Sequence, residues 1–298
     1  MENKTTATPA PEAVPVVRNP GICLSMPVYG KIDVPFVRCL MALFGTSTTV
    51  QIPDFLIGDS LVNRARNNLA DRFLAGFPGH DDQGNKILVK HDWQLWLDTD
   101  LEFQPADVEK LYQLGLKRGP GIYCGSYPIK QLKPKIVFNN IAGATPDAEG
   151  IVEVREAGTG FMLIHREVYE KMIEKFGEQI KFQVDMGDVP GEAPTKYDFY
   201  TVGVYDDKEL KRRRFLSEDW FFCQRWRECG GKVFMHSRIS CNHLGTYSFP
   251  GNPQEIIAAA DFIKAGLERM KAQQKPLVVK VGPPETFKPK EGAVAVAV

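Results

Sequence analysis

Alternation is the feature that most limits what this chain can become. Through roughly its first 126 residues, short apolar runs repeatedly give way to stretches whose apolar residues recur at helical spacing. The run Gly21-Ile22-Cys23-Leu24-Ser25-Met26-Pro27-Val28 predicts a buried strand, closed by Pro27 and Gly30. Asp33 can cap the helix that follows, with Pro35 in its first turn and Phe36, Val37, Leu40, Met41 and Phe44 as its apolar face. A second strand is expected near 48–52. Leu61, Ala65, Leu69 and Phe73 then mark an amphipathic helix with a basic flank. The strand over 93–97 ends in Asp98-Thr99-Asp100, a helix over 105–118 is stopped by Gly119-Pro120, and a strand over 122–126 follows. Such alternation predicts an α/β fold with a mixed, mostly parallel central sheet flanked by helices, in which ligands collect beyond the C-terminal strand ends. Asp98 and Asp100 stand at one of those ends.

The second half predicts strands near 151–154 and 160–164 and a helix from Arg166 to about 176. A polar, loop-rich stretch runs on to Arg214. Ser217, with Glu218 and Asp219 behind it, suits the start of a helix that carries Phe221, Phe222, Arg225 and Trp226 to Gly230-Gly231. A strand over 232–235 and an amphipathic helix over 253–273 complete the pattern. Residues 1–19 are rich in Thr, Ala, Pro and Glu and have no period, which predicts a disordered tail. One domain is expected over 20–250, with the helix of 251–274 packed on it and a flexible tail over 275–298.

Of 298 residues, 43% are hydrophobic, enough for one substantial core. Lysine plus arginine total 37 and aspartate plus glutamate total 37, so no overall field draws the chain to nucleic acid or an anionic membrane. No apolar run approaches the roughly 20 residues of a membrane helix, and the polar start lacks a signal peptide's pattern, so a cytoplasmic protein without a membrane span is expected. Six cysteines without a C-x-x-C pair predict reduced core thiols rather than a zinc knuckle or disulfide framework.

Two carboxylates one residue apart at a strand exit can offer oxygens to a hard cation such as Mn²⁺ or Mg²⁺. A capped turn is the alternative for Asp98 and Asp100. Six segments, in order, resemble the GT-A glycosyltransferases: Ser25-Met26-Pro27-Val28-Tyr29, Arg64-Ala65-Arg66-Asn67, Leu95-Trp96-Leu97-Asp98-Thr99-Asp100, Gly158-Thr159-Gly160-Phe161-Met162-Leu163-Ile164, Ser217-Glu218-Asp219-Trp220 and His243-Leu244-Gly245. Together they cover about residues 21–247.

The resemblance implies a catalytic domain over 20–250 that moves a sugar from a nucleotide-diphosphate donor to a hydroxyl acceptor, with UDP-sugars the commonest donors of such proteins. It implies a metal held by Asp98, Asp100 and His243, with Asp98 also reaching the donor. It casts Asp219 as the base of an inverting reaction, with Glu218 beside it. Two first-turn acids also complement a helix dipole without any chemistry. Pro27, Tyr29, Arg66, Gly158, Thr159 and Gly160 complete the implied donor site. Core packing for Pro27 and Tyr29, surface solvation for the arginines and an ordinary turn for the glycines are the plainer readings.

The basic run Lys208, Lys211, Arg212, Arg213, Arg214 is either a solvated loop or a lid that contacts phosphates or an anionic acceptor such as a modified nucleic acid; a saccharide acceptor is the leading expectation. Retaining transfer, nucleotidyl transfer and nucleotide-sugar binding without turnover are the competing functions. Nucleotidyl transfer would want a Gly-rich loop after the first strand, where 25–30 holds one glycine.

Overall fold

The computed structural model describes residues 14–131, 133, 135–184, 195–245 and 251–254, and beyond them 257, 258, 260, 261, 264 and 268. In chain order the elements are β1 (Val16–Val28), α1 (Val34–Thr46), β2 (Val50–Ile57), α2 (Val62–Ala75), β3 (Phe77–His80), β4 (Lys86–Leu97), β5 (Leu101–Glu102), α3 (Pro105–Arg118), β6 (Ile122–Ser126) and β7 (Phe138–Asn140). They continue as β8 (Ile151–Ala157), β9 (Phe161–His165), α4 (Arg166–Ile180), β10 (Lys181–Gln183), β11 (Thr195–Tyr197), β12 (Gly203–Asp207), β13 (Arg212–Leu216), α5 (Glu218–Glu228), β14 (Val233–Ser240) and β15 (Asn242–His243).

Period-two alternation along the strands decides which helix packs on which face. Ile22, Leu24 and Met26 of β1, Trp93, Leu95 and Leu97 of β4, and Phe161 and Leu163 of β9 join Phe36 and Leu43 of α1 and Val108, Leu111 and Leu114 of α3 in one buried cluster. Their neighbours Cys23, Trp96, Met162 and Ile164 face the other way. There they pack with Leu69 and Phe73 of α2, Val168 and Met172 of α4 and Phe222 and Trp226 of α5. Each fully buried side chain of this size contributes roughly 1.5–3 kcal/mol, so both helix layers are held by the strands between them.

The main sheet has the order β2-β1-β4-β9-β6-β14-β8-β7, with β3 added to β4. β1 pairs in parallel with β2 and β4, and β14 with β6. The other five pairings, β4/β9, β6/β9, β14/β8, β7/β8 and β3/β4, are antiparallel. The expected mostly parallel sheet is therefore a mixed one, parallel only where a helical crossover separates the strands. A parallel neighbour needs a connection of a dozen or more residues. β8 and β9 run the same way with only 158–160 between them, so the chain moves from one set of neighbours to another without turning back.

Further boundaries differ from expectation. Order starts before residue 20, because Val16, Val17, Arg18 and Asn19 pair with Leu88–His91 and Pro15 accepts a backbone hydrogen bond from Leu88. Ser217 is the N-cap of α5, but its hydroxyl bonds the Asp219 carboxylate rather than a helix amide. The stretch ending at Arg214 holds the hairpin β12–β13, in which Arg214 pairs with the buried Glu156 and Asp207, and Arg213 with Asp206. The run expected as a loop is thus in part a strand, with two of its arginines already paired. Asp206 and Asp207 take up part of its charge, while Lys208, Lys211 and Arg212 stay exposed.

The sheet belongs to the first of two compact units, Met1–Ile257, the second being Ala258–Val298. The described residues between 253 and 268 are helical. Residues 1–13, 185–194 and 275–298, and the expected packing of the last helix, lie outside the described residues. No helix among the described residues is long and apolar enough to cross a membrane.

Candidate functional site

Three neighbouring parallel strands, β2, β1 and β4, deliver their C-terminal ends to one cavity of about 500 Å³. Pro27, Val28 and Tyr29 come from the end of β1, Asp59 and Ser60 from beyond β2, and Asp98, Thr99 and Asp100 from beyond β4. Arg66 of α2, Lys130 and Leu244 complete much of the wall. The exits of parallel strands leave backbone groups and short loops converging on one point, the usual place for a ligand in an open α/β sheet.

Arg66 organises the inner wall. Its side chain is only 4% exposed, and it donates from Nη2 to Asp98 Oδ1 at 2.9 Å and from Nε to Glu218 Oε1 at 3.4 Å. Its guanidinium lies over the Trp96 ring, 5.2 Å from the centroid. Burial opposes the charge, but Asp98 and Glu218 outweigh it and hold Arg66 firmly cationic. Nη1 is buried with no partner among the described residues.

Asp98 and Asp100, one residue apart, turn in different directions. The Asp98 amide donates to Gly160 O at 2.9 Å, and its carboxylate faces Arg66. Asp100 follows the turn closed by Leu101 N to Asp98 O, and its Oδ2 accepts a hydrogen bond from Lys130 Nζ. His243 Nε2 approaches the same oxygen at 3.5 Å. Burial works to raise the Asp100 pKa, yet His243 and Lys130 outweigh it and bring it down to about 2. Leu244 N donates to Asp100 O at 2.7 Å and β15 pairs with β5, which is how a histidine so distant in sequence reaches this carboxylate.

The His243 Nδ1 lies 2.8 Å from the carbonyl oxygen of Pro128. A carbonyl only accepts, so Nδ1 donates to it and Nε2 is the ring atom that faces Asp100. One carboxylate oxygen and one imidazole nitrogen thus lie 3.5 Å apart. Among the described residues no group of three or more His, Cys, Asp or Glu side chains forms a metal cluster. The expected trio of Asp98, Asp100 and His243 is therefore not assembled, because Arg66 draws Asp98 away.

Gly158, Thr159 and Gly160 stand behind the wall rather than in it. A Cβ at 158 would come within 2.2 Å of the Tyr127 hydroxyl, and one at 160 within 2.8 Å of Tyr127 and 2.9 Å of Asp98 Oδ2. The space the glycines leave is filled by this chain's own Tyr127, whose hydroxyl accepts from Gly160 N at 2.9 Å. Burial, and then the charges of Asp98 and Asp219, push the Tyr127 hydroxyl well above its ordinary pKa, so it stays protonated.

Asp219 does not line the cavity. Both its hydrogen bonds fall on Oδ1, from the Ser217 hydroxyl and from Trp220 N at 2.8 Å. Burial first, and Glu218 second, raise its pKa to about 6 against the opposing hydrogen bonds and Arg66. Tyr29 is largely exposed at the rim, Pro27 lines the wall, and Met26 is core. Lys130 and Tyr127 were absent from the sequence expectations. Lys130 lies in the lysine-rich stretch 130–135, and Tyr127 directly follows β6; neither position has a motif to mark it.

No family model matches the chain, and no curated protein matches it. A solved structure to which it is similar is A197 from STIV, at 16% sequence identity and a TM-score of 0.45, covering 76% of this chain and 86% of that one.

Proposed function

We propose that the chain is a GT-A type glycosyltransferase that transfers a sugar from a nucleoside-diphosphate donor, a UDP-sugar being favoured, to a hydroxyl acceptor with inversion. The observation that carries this reading is the contact of His243 with Asp100, a residue of the cavity wall at the strand ends to which the buried cation of Arg66 also contributes.

Asp100 and His243 suit Mn²⁺ or Mg²⁺, which are commonly held by one or two protein carboxylates with phosphate and water completing the shell. Bound there, such an ion would offset the charge of the departing diphosphate. Arg66, fixed by two carboxylates in the cavity wall, would donate in this reading to a phosphate or hydroxyl oxygen of the donor. Pro27 and Tyr29 form the rim against which a base can lie.

Asp219 is the acceptor's base in this reading. Its Oδ1 is occupied by Ser217 and Trp220, which leaves Oδ2 as the atom that would take a substrate proton. A pKa near 6 leaves it ionised yet basic enough to take that proton near neutral pH. Glu218 acts through Arg66 as a positioning residue.

The test is a thermal-shift screen of nucleotide-sugars with and without Mn²⁺, followed by transfer assays on Asp100→Ala and Asp219→Asn. A stabilising donor, turnover reduced at least about a hundredfold by either substitution, and an inverted anomer by NMR are the expected results. Wild-type turnover in both variants would overturn the assignment.

A further inference from the structure

Among the described residues four acids contribute to the cavity wall, and each already has its own base. Asp33 pairs with Lys31, Asp59 with Arg64, Asp98 with Arg66, and Asp100 with Lys130. A divalent ion added alone would meet lining acids that are each already paired, with Glu218 as a second carboxylate on Arg66. A diphosphate added alone would meet bases paired in the same way.

The four bases are not equally free to move. Arg66 is buried and held by two carboxylates. Arg64 pairs with Asp59 at the surface, and Lys31, which also lines the cavity and feels the charge of Asp100, makes its ion pair with Asp33 instead. Lys130 alone shares its acceptor oxygen, Asp100 Oδ2, with a potential metal-binding nitrogen, His243 Nε2. Its side chain is 36% exposed and lines the same cavity. Its loop is anchored at the base by Ile129 N to Lys135 O at 2.7 Å and Val137 N to Tyr127 O at 3.0 Å. The flexible four-carbon stem lets the ammonium leave without any backbone change.

Resting on the metal reading above, we propose that Lys130 is a displaceable internal cation. Its ammonium holds the place on Asp100 that a divalent ion takes, and it leaves that place for the phosphates of an incoming nucleotide. Two like charges cannot share one carboxylate oxygen at contact distance without a strong penalty. The ion alone must therefore expel Lys130 into water, whereas the diphosphate supplies a second anion for it. Ion and nucleotide then bind with positive coupling that passes through this one side chain.

The experiment is a titration of Mn²⁺ into the full-length protein, reading free ion by its electron paramagnetic resonance signal, with and without UDP. Wild type, Lys130→Met and Lys130→Arg are compared. In the wild type, UDP is expected to tighten ion binding about tenfold or more. Lys130→Met is expected to bind the ion alone about fivefold tighter than wild type, the factor by which a contact ion pair competes, and to show coupling reduced by a similar factor. Lys130→Arg keeps the charge and is expected to stay near wild type. If Lys130→Met binds the ion alone no tighter than wild type, with coupling to UDP intact, the displaceable cation is wrong while the metal site stands. If no protein binds the ion even with UDP, the site reading fails and takes this proposal with it.

Discussion

Two arginines lie buried at different places on the same sheet, Arg66 at 3% exposure and Arg166 at 1%, and they are satisfied in contrasting ways. Arg166 begins α4 and donates to three backbone carbonyls, His91 O at 2.8 Å, Leu74 O at 3.1 Å and Phe73 O at 2.6 Å, with its guanidinium over the Phe73 ring at 4.4 Å. All of its nitrogens have partners. Burial depresses its pKa to about 10, yet it remains charged at neutral pH. Arg66 has two carboxylates, one nitrogen without a partner and a cavity in front of it. A buried cation whose hydrogen bonds are complete ties chain segments together. One left incomplete beside a cleft is poised for a ligand.

The largest effect is expected at the closed end. Arg166→Met would leave three buried carbonyls without donors and should cost about 3 kcal/mol or more, read as a fall in the urea midpoint. Nucleotide-dependent stabilisation should survive in whatever fraction still folds. A variant as stable as wild type would remove the contrast between the two arginines.

Arg66→Met should cost less, about 1–2 kcal/mol, because Asp98 and Glu218 are partly hydrated, at 27% and 14% exposure. Under the proposed function its larger consequence should be loss of any thermal shift that a nucleotide-sugar produces in the wild type. Retention of that shift would show that the free Nη1 faces nothing of consequence.

The smallest effect has the opposite sign. Asp219 has a folded pKa of about 6, above the ordinary carboxylate value near 4. Its ionised form therefore costs stability, a cost absent below about pH 4 and fully developed above about pH 6. Asp219→Asn should be more stable than wild type by ~1–2 kcal/mol at pH 7.5, after discounting for partial exposure, with the gap closing as the pH falls to 4. In the same window wild-type turnover should rise as Asp219 ionises. A stability gap independent of pH would move the raised pKa elsewhere.

Local chemistry made much of this legible in the one-dimensional chain. The helix over 105–118 appears where Pro105 and Gly119 set its ends, and the buried strand around Ile22–Met26 lies where the apolar run predicts it. The pair Asp98 and Asp100 was visible because a strand exit next to two acids is a short-range pattern. The direction of β9 was not, since strand direction depends on which distant neighbours a segment meets. Nor could spacing reveal that Gly158 and Gly160 make room for Tyr127, because the residue that fills a void need not be near it in sequence.

The chain's own order of residues determined the periodicities, the helix stops and the list of acids and bases able to do chemistry, because each depends on neighbours within a few positions. Only tertiary structure decided that Asp98 belongs to Arg66 while Asp100 belongs to Lys130 and His243. Charge pairing falls off steeply with distance and is chosen by backbone routes hundreds of atoms long, which no local pattern records.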